Sequence, residues 1–287
     1  EIKALHEVIN SGKFTMGEHV KRFENSFAKY FQSKYCVMVN SGSSANLLGI
    51  ASLFYKSKGA LKPGDEVIVP GISWSTSYHP LQQYGLNIKF VDVDIHTLNY
   101  DLDQLEDSIT DSTKAILVVN LLGNSNDFNK IQSLIDGKDI MIFEDNCESM
   151  GAKFDDKFTG TFGLFGTFST FFSHHISTME GGLVITDDKE IYHIMLSLRA
   201  HGWTRDLPKD NLLVKKSENK FKESFRFILP GYNLRPLELS GSVGSEQLKK
   251  LPSLIKNRRK NAMYFVEKFE SQNHIIIQKE LGESSWF

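Results

Sequence analysis

The chain carries almost no excess of charge of either sign. Its 33 lysines and arginines stand against 35 aspartates and glutamates, a net charge of −2 over 287 residues. That removes the basic face on which nucleic-acid binding depends. The densest basic run, KNRRK at 256–260, lies inside a helical pattern of Leu254, Ala262, Phe265, Val266 and Phe269, so it reads as a solvated helix face. Cysteine is scarce too. Cys36 and Cys147 are the only two, and neither their number nor their spacing suits a disulfide framework, a metal cage or an iron–sulfur cluster. A reducing cytoplasm is therefore the expected compartment. No apolar run approaches the ~18 residues of a bilayer span, and no signal-peptide pattern opens the chain. Internal repeats and low-complexity tracts are missing. No candidate strand is followed by G-x-G-x-x-G, which counts against a nicotinamide-dependent dehydrogenase. The sequence starts at Glu1 and stops at Phe287, and it reads as a fragment lacking a little at the front and more at the back.

What is present is an alternation. Short apolar runs occur at 35–39 (YCVMV), 66–70 (EVIVP), 88–93 (IKFVDV), 115–121 (AILVVNL), 139–145 (DIMIFED), 168–172 (FSTFF) and 183–186 (LVIT). Between several of them lie helix-period segments such as ANLLGIASLFY (45–55) and LDQLEDSI (102–109). Without period-two alternation the runs must be covered on both faces, which predicts an α/β fold with a mainly parallel central sheet flanked by helices. In such sheets ligands bind beyond the carboxyl ends of the strands. From Leu251 the pattern changes: LPSLIKNRRKNAMYFVEKFE is one long amphipathic helix, and HIIIQ reads as the opening of a second sheet. This divides the chain into a large domain at 1–250 and the start of a small C-terminal α/β domain at 251–287. The loop RDLPKDNLLVKKSENK (205–220) is long, polar and rich in lysine; it is either mobile or part of an interface.

The strand ends carry the chemistry. After YCVMV comes NSGSSANLL, where Gly42 permits a tight turn and Ser43 and Ser44 present hydroxyls as a helix begins at Ala45. A helix N-terminus with small polar side chains suits a phosphate, although a serine cap with no ligand is the commoner use of such a turn. After EVIVP comes Trp74, either a packed side chain or a wall for a planar ring. After IMIFE comes Asp145. A carboxylate there either caps the next turn or pairs with a protonated pyridine nitrogen and makes that ring an electron sink. Glu148 follows as a second polar contact or a capping partner.

The connector FFSHHISTMEGG (171–182) then brings Ser173, His174 and His175 just after Ser169. Enzymes that use pyridoxal phosphate ordinarily place a lysine in such a connector, to hold the cofactor as a Schiff base. This chain offers two histidines. In an extended segment neighbouring side chains point to opposite faces, so one of the pair should face the site. That argues against a di-histidine metal centre, as does the absence of clustered carboxylate or cysteine ligands nearby.

Taken together, NSGSSANLL, GISWSTSYHPLQQYGL, FEDNCESMGA, GTFSTFFSHHISTMEGG, LRAHGWTRD and LPGYNLRPLELSG resemble the sugar-aminotransferase family of fold type I pyridoxal-phosphate enzymes, over essentially the whole chain. Within that family the likeness is to the nucleotide-sugar 3-dehydratases, in which histidine replaces lysine. The resemblance implies a fold type I transferase domain with a small C-terminal domain, and a homodimer with shared active sites. It implies that Gly42, Ser43 and Ser169 hold the cofactor phosphate, Trp74 lies against the ring, Asp145 meets the pyridine nitrogen, and Glu148 and Ser173 lie close by. His174 falls on the lysine position, and Asn233 reaches the phosphate from the other subunit. His201, Arg205 and Arg235 would stand on the substrate side.

Histidine can move protons near neutral pH but forms no stable imine with the cofactor aldehyde. Pyridoxal 5′-phosphate, or its pyridoxamine form, is thus expected to be held non-covalently. The expected reaction takes an amino group from L-glutamate, leaving 2-oxoglutarate. His174 then removes a proton, the C3 hydroxyl of a 4-keto-6-deoxy nucleotide sugar departs, and ammonia is lost. GDP and the manno configuration rest on resemblance alone. The rivals are an aminotransferase that tolerates histidine, a CDP-sugar dehydrase working with an iron–sulfur reductase, and a catalytically silent cofactor-binding regulator. No metal, nucleic acid, membrane or iron–sulfur partner is expected.

Overall fold

The computed structural model describes residues 1–287. Nine strands run β1 (Tyr35–Val39), β2 (Glu66–Pro70), β3 (Asn87–Val91), β4 (Thr113–Val119), β5 (Met141–Asp145), β6 (Lys153–Phe154), β7 (Lys157–Phe158), β8 (Gly166–Ser169) and β9 (Gly182–Thr186). The helices are α1 (Ile2–Ser11), α2 (Glu18–Tyr30), α3 (Gly42–Leu53), α4 (Ser75–Gln83), α5 (Leu102–Ser108), α6 (Phe128–Ile135), α7 (Lys189–Arg199), α8 (Lys220–Ser224), α9 (Glu238–Leu248) and α10 (Leu251–Phe269). Seven strands form one sheet in the order β1-β9-β8-β5-β4-β2-β3, and β6 and β7 form a separate hairpin.

β9 is antiparallel to both of its neighbours, β1 and β8, whereas the other pairs in the sheet are parallel. That one reversal decides where the histidines go. A parallel neighbour would need a crossover helix; an antiparallel one needs only a return loop. The connector at 170–181 therefore stays at the edge where β1, β5 and β8 end. The sequence suggested a strand through Phe172, but β8 stops at Ser169, because the loop closes on itself. Thr170 N–H donates to Gly181 O (2.9 Å), Thr178 N–H to Thr170 O (2.9 Å), and the Thr170 and Thr178 hydroxyls meet at 2.6 Å.

Both faces of the sheet are buried, as its unbroken apolar strands require. In β1, Val37 and Val39 join a core covered by α3 and α7, while Cys36 and Met38 point to the other face, against Phe23 and Phe27 of α2 and Phe31 just after it. A third cluster, around Phe128, Ile131 and Leu105, covers that face beneath α5 and α6. Gly182 lies where the chain is tightest. A β-carbon there would stand 2.2 Å from Ser41 O, so glycine lets β9 press against the turn after β1. No helix is long and apolar enough to cross a membrane.

The edge strand β1 is tied down by a buried ion pair. Arg199 Nη1 donates to Glu24 Oε1 (2.5 Å) and to Met38 O (2.7 Å), and Met38 N–H donates to the same Glu24 oxygen (2.7 Å). Removing one partner leaves a buried charge alone. Arg199→Met should therefore cost about 3–5 kcal/mol of stability, read as a lower midpoint in urea.

Two expectations change near the end of the chain. HIIIQ forms no strand among residues 1–287. Its groups turn to loops instead: Gln278 Nε2 donates to Thr97 O and Leu121 O, and Lys279 N–H to His96 O. KNRRK is not simply a solvated face. Arg258 Nη1 donates to Trp286 O (3.3 Å), and Arg259 Nη1 reaches Glu280 Oε1 (2.7 Å) and Ser284 O (2.5 Å). Two cations of α10 thus clamp residues 280–287. Within the 205–220 loop the Lys216 ammonium donates to the carbonyls of Arg205 (3.2 Å) and Leu207 (2.6 Å).

Candidate active site

The strand ends enclose a cavity of about 320 Å³, lined by Gly42, Ser43, Trp74, Asp145, Glu148, Ser169, Ser173 and His174 together with eleven further residues. One wall is the start of α3. Ser41 caps that helix, accepting from Ser44 N–H (3.0 Å), so the helix begins at Gly42 rather than Ala45. The free N–H groups of its first turn carry the positive end of the helix dipole. Ser43 Oγ donates to Thr76 Oγ1 (3.0 Å) at the head of α4. A β-carbon on Gly42 would stand 2.6 Å from Ser169 Cβ, so the glycine keeps this cradle open. Trp74, just before α4, is 70 % exposed, which rules out simple burial and leaves its ring as a rim of the cavity.

Asp145 stands at the other side, at the end of β5, buried and fully bonded. Its Oδ2 accepts from Asn46 Nδ2 (2.8 Å) and Ser77 Oγ (2.7 Å), and its Oδ1 from Cys147 N–H (3.0 Å). The preceding residue points the opposite way. Glu144 accepts from the backbone N–H groups of Gly160 (2.6 Å), Phe162 (2.6 Å) and Gly163 (2.9 Å). Burial pushes its carboxyl up to about 7 against the pull of those donors. Glu144 thus anchors the 160–163 loop and leaves the cavity to Asp145. Glu148 accepts from Leu122 N–H (3.0 Å), and burial raises its carboxyl above the usual range.

The histidines lie in a turn, not an extended strand, yet they still part company. His174 lines the cavity, its ring centroid 5.0 Å from that of Phe287 and 6.0 Å from that of Phe171. Burial lowers its proton affinity, the Asp145 carboxylate raises it, and the Arg258 guanidinium lowers it. His174 Nδ1 is buried without a partner. His175 is turned away and buried, with Nε2 3.3 Å from Ser285 O. Burial drives its proton affinity down to about 3, so it stays neutral. The two rings do not converge, and no group of three or more potential metal ligands assembles anywhere.

Four of the sequence-derived candidates stay outside this cavity. Asn233, His201, Arg205 and Arg235 gather elsewhere: Ala200 bridges Asn233, His201 N–H donates to Tyr232 O (2.7 Å), and Arg235 Nε donates to Asn233 Oδ1 (3.1 Å). Arg205 lies over the Trp203 ring at 4.0 Å. Sequence reasoning missed Asn46, Ser77, Cys147, Glu180 and Phe287. None of these is marked by a local pattern in the sequence.

The donor set fits pyridoxal phosphate. The open cradle at Gly42 and the first turn of α3 suit its phosphate, Asp145 suits its ring nitrogen, Trp74 suits its ring face, and no lysine lines the cavity. Fold and cavity together define a fold type I pyridoxal-phosphate enzyme, one without the covalent anchor of its class. The chain belongs to the DegT/DnrJ/EryC1/StrS aminotransferase family, whose model matches residues 1–287. It is 63 % identical over 288 residues to the GDP-4-keto-6-deoxy-D-mannose 3-dehydratase of Escherichia coli O55:H7, covering 100 % of this chain and 74 % of that protein. It is 64 % identical to the enzyme of the same name from Yersinia pseudotuberculosis, covering 100 % of this chain and 73 % of that one. A crystal structure of GDP-4-keto-6-deoxymannose-3-dehydratase with a trapped PLP–glutamate geminal diamine superposes with a TM-score of 0.98 at 62 % identity, over 100 % of this chain and 74 % of that one.

Proposed function

We propose that this protein removes the C3 hydroxyl of GDP-4-keto-6-deoxy-D-mannose, with pyridoxal or pyridoxamine phosphate as cofactor and L-glutamate as amine donor. The products are GDP-4-keto-3,6-dideoxymannose, ammonia and 2-oxoglutarate. The observation that carries this reading is a neutral-prone histidine, His174, lining a pyridoxal-phosphate-type cavity that has no lysine. The cofactor, when bound, supplies an electron sink next to the carbon that loses its proton. The chain's own residues do the rest. Gly42, Ser43 and Ser169 hold the phosphate through N–H and hydroxyl groups. Asp145, fixed by Asn46 and Ser77, keeps the ring nitrogen protonated. Trp74 covers a ring face, and Glu148 and Ser173 border the reacting end. His174 takes up a proton at a ring nitrogen and returns it; burial keeps that ring neutral near pH 7, as a base requires.

The chain is read as a large domain at 1–250 and the start of a small domain at 251–287, acting as a homodimer with shared sites. Asn233, His201, Arg205 and Arg235 are assigned to the partner's cofactor phosphate and to the substrate. Their gathering outside their own chain's cavity supports that assignment. Two free cysteines suit a reducing cytoplasm. The test is product analysis with cofactor, glutamate and the GDP sugar. Ammonia and 2-oxoglutarate should appear in equal amounts, with no amino sugar. Accumulation of an amino sugar instead would assign the protein to the aminotransferases.

A further inference from the structure

Two residues far from His174 in sequence, Phe287 and Arg258, stand one after the other beside its ring. The Phe287 ring centroid lies 5.0 Å from the His174 ring, at an interplanar angle of 67°. The Arg258 guanidinium carbon lies 5.8 Å from the same Phe287 ring. Arg258 also donates to Trp286 O (3.3 Å), one residue before that ring. The backbone there is fixed from a second side, since Phe287 N–H donates to Leu122 O (3.2 Å) and Ser285 N–H to Gly123 O (2.9 Å). The segment ending at Phe287 is therefore a built wall of the cavity, and it touches the imidazole edge to face, a favoured aromatic geometry.

We propose that Arg258 and Phe287 are positioning residues for the base: Arg258 holds the Phe287 ring, and the backbone that carries it, against the His174 imidazole, so that the imidazole stays oriented. This rests on the reading of His174 as the base. The charge acts in the right direction, because a nearby cation disfavours imidazolium and Arg258 lowers the proton affinity of His174. The other ionisable groups around the imidazole are few. Asp145 favours the protonated ring, Glu148 and Glu180 line the same cavity, and His175 next in the chain stays neutral. Burial is the largest influence that lowers the proton affinity of His174, and Arg258 adds to it against Asp145. Without that cation the imidazole holds its proton to higher pH, and activity is lost first at low pH.

The experiment is an NMR titration of the histidine Cε1–H signals in the cofactor-free protein, with His174 assigned by its loss in His174→Asn. In Arg258→Met the His174 midpoint should move to higher pH; in Arg258→Lys, which keeps the charge, it should stay near the parent's. In turnover, Arg258→Met should lose about threefold more ammonia release at pH 6 than at pH 8. A wall that served stability alone would move neither midpoint nor pH profile. Phe287→Leu keeps Arg258 and an apolar side chain but removes the ring contact, and should lower kcat about tenfold with KM nearly unchanged. An unmoved midpoint in Arg258→Met, an equal shift in Arg258→Lys, or a parent-like kcat in Phe287→Leu would each overturn the proposal. The titration needs no turnover, so a failure of the dehydratase reading would show separately, as absent ammonia.

Discussion

His174→Asn should lower ammonia release by about 10²–10⁴-fold, the usual worth of a positioned general base, while cofactor binding persists. Binding persists because the contacts assigned to the phosphate and ring nitrogen come from other elements: the first turn of α3, the end of β8 and the end of β5. An asparagine fits the space and cannot take up a proton. His174→Lys asks the complementary question. An amine at this point can join the cofactor aldehyde, so the cofactor should become covalently attached, detectable as added mass after borohydride reduction. Ammonia release should remain low, because the lysine is charged and lies on a flexible stem in a cavity shaped around an imidazole. If the parent and His174→Lys both made an amino sugar at similar rates, the histidine would not be what separates this enzyme from an aminotransferase.

The legibility of the site follows from how each residue arrives there. Gly42, Trp74, Asp145 and Ser169 sit within a few positions of a strand's end, and the rule that ligands bind beyond carboxyl ends finds them without any tertiary information. His174 was legible for a different reason. The reversal of β9 places its connector at that same edge, and the pattern of aromatic run, connector and Gly-Gly marked it. Of the pair only His174 lines the cavity, although the segment is a turn and not extended, since a turn also separates neighbouring side chains. Asn46, Ser77 and Phe287 were not legible. Each reaches the cavity by packing between elements, 99, 68 and 113 positions from the residue it touches, and no local pattern encodes that. Arg258 and Arg259 misled because long cationic side chains look alike on paper whether they face water or a row of carbonyls.

Asp145→Asn should reduce turnover by about 10²–10³-fold, comparable to deleting one preorganised charge contact at a developing charge, although the side chain keeps its shape. The loss of charge is only part of the reason. Three donors converge on this carboxylate: Asn46 and Ser77 on Oδ2, and Cys147 N–H on Oδ1. The Thr167 hydroxyl donates to Asn46 Oδ1 (2.6 Å), which commits the Asn46 amide nitrogen to Asp145. An asparagine must place its NH₂ on one side or the other, and on either side it meets a donor. That mismatch leaves a buried N–H without an acceptor, a cost of about 1–3 kcal/mol, so the thermal midpoint should fall together with the rate. Asp145→Ala removes the NH₂ clash but strands all three donors, and should be no more stable. A mild effect on rate in Asp145→Asn would mean the ring nitrogen does not depend on this carboxylate. A large effect on rate with an unchanged midpoint would mean that the donors around it can turn to other acceptors, and that Asn46 and Ser77 serve the fold less than they serve the charge.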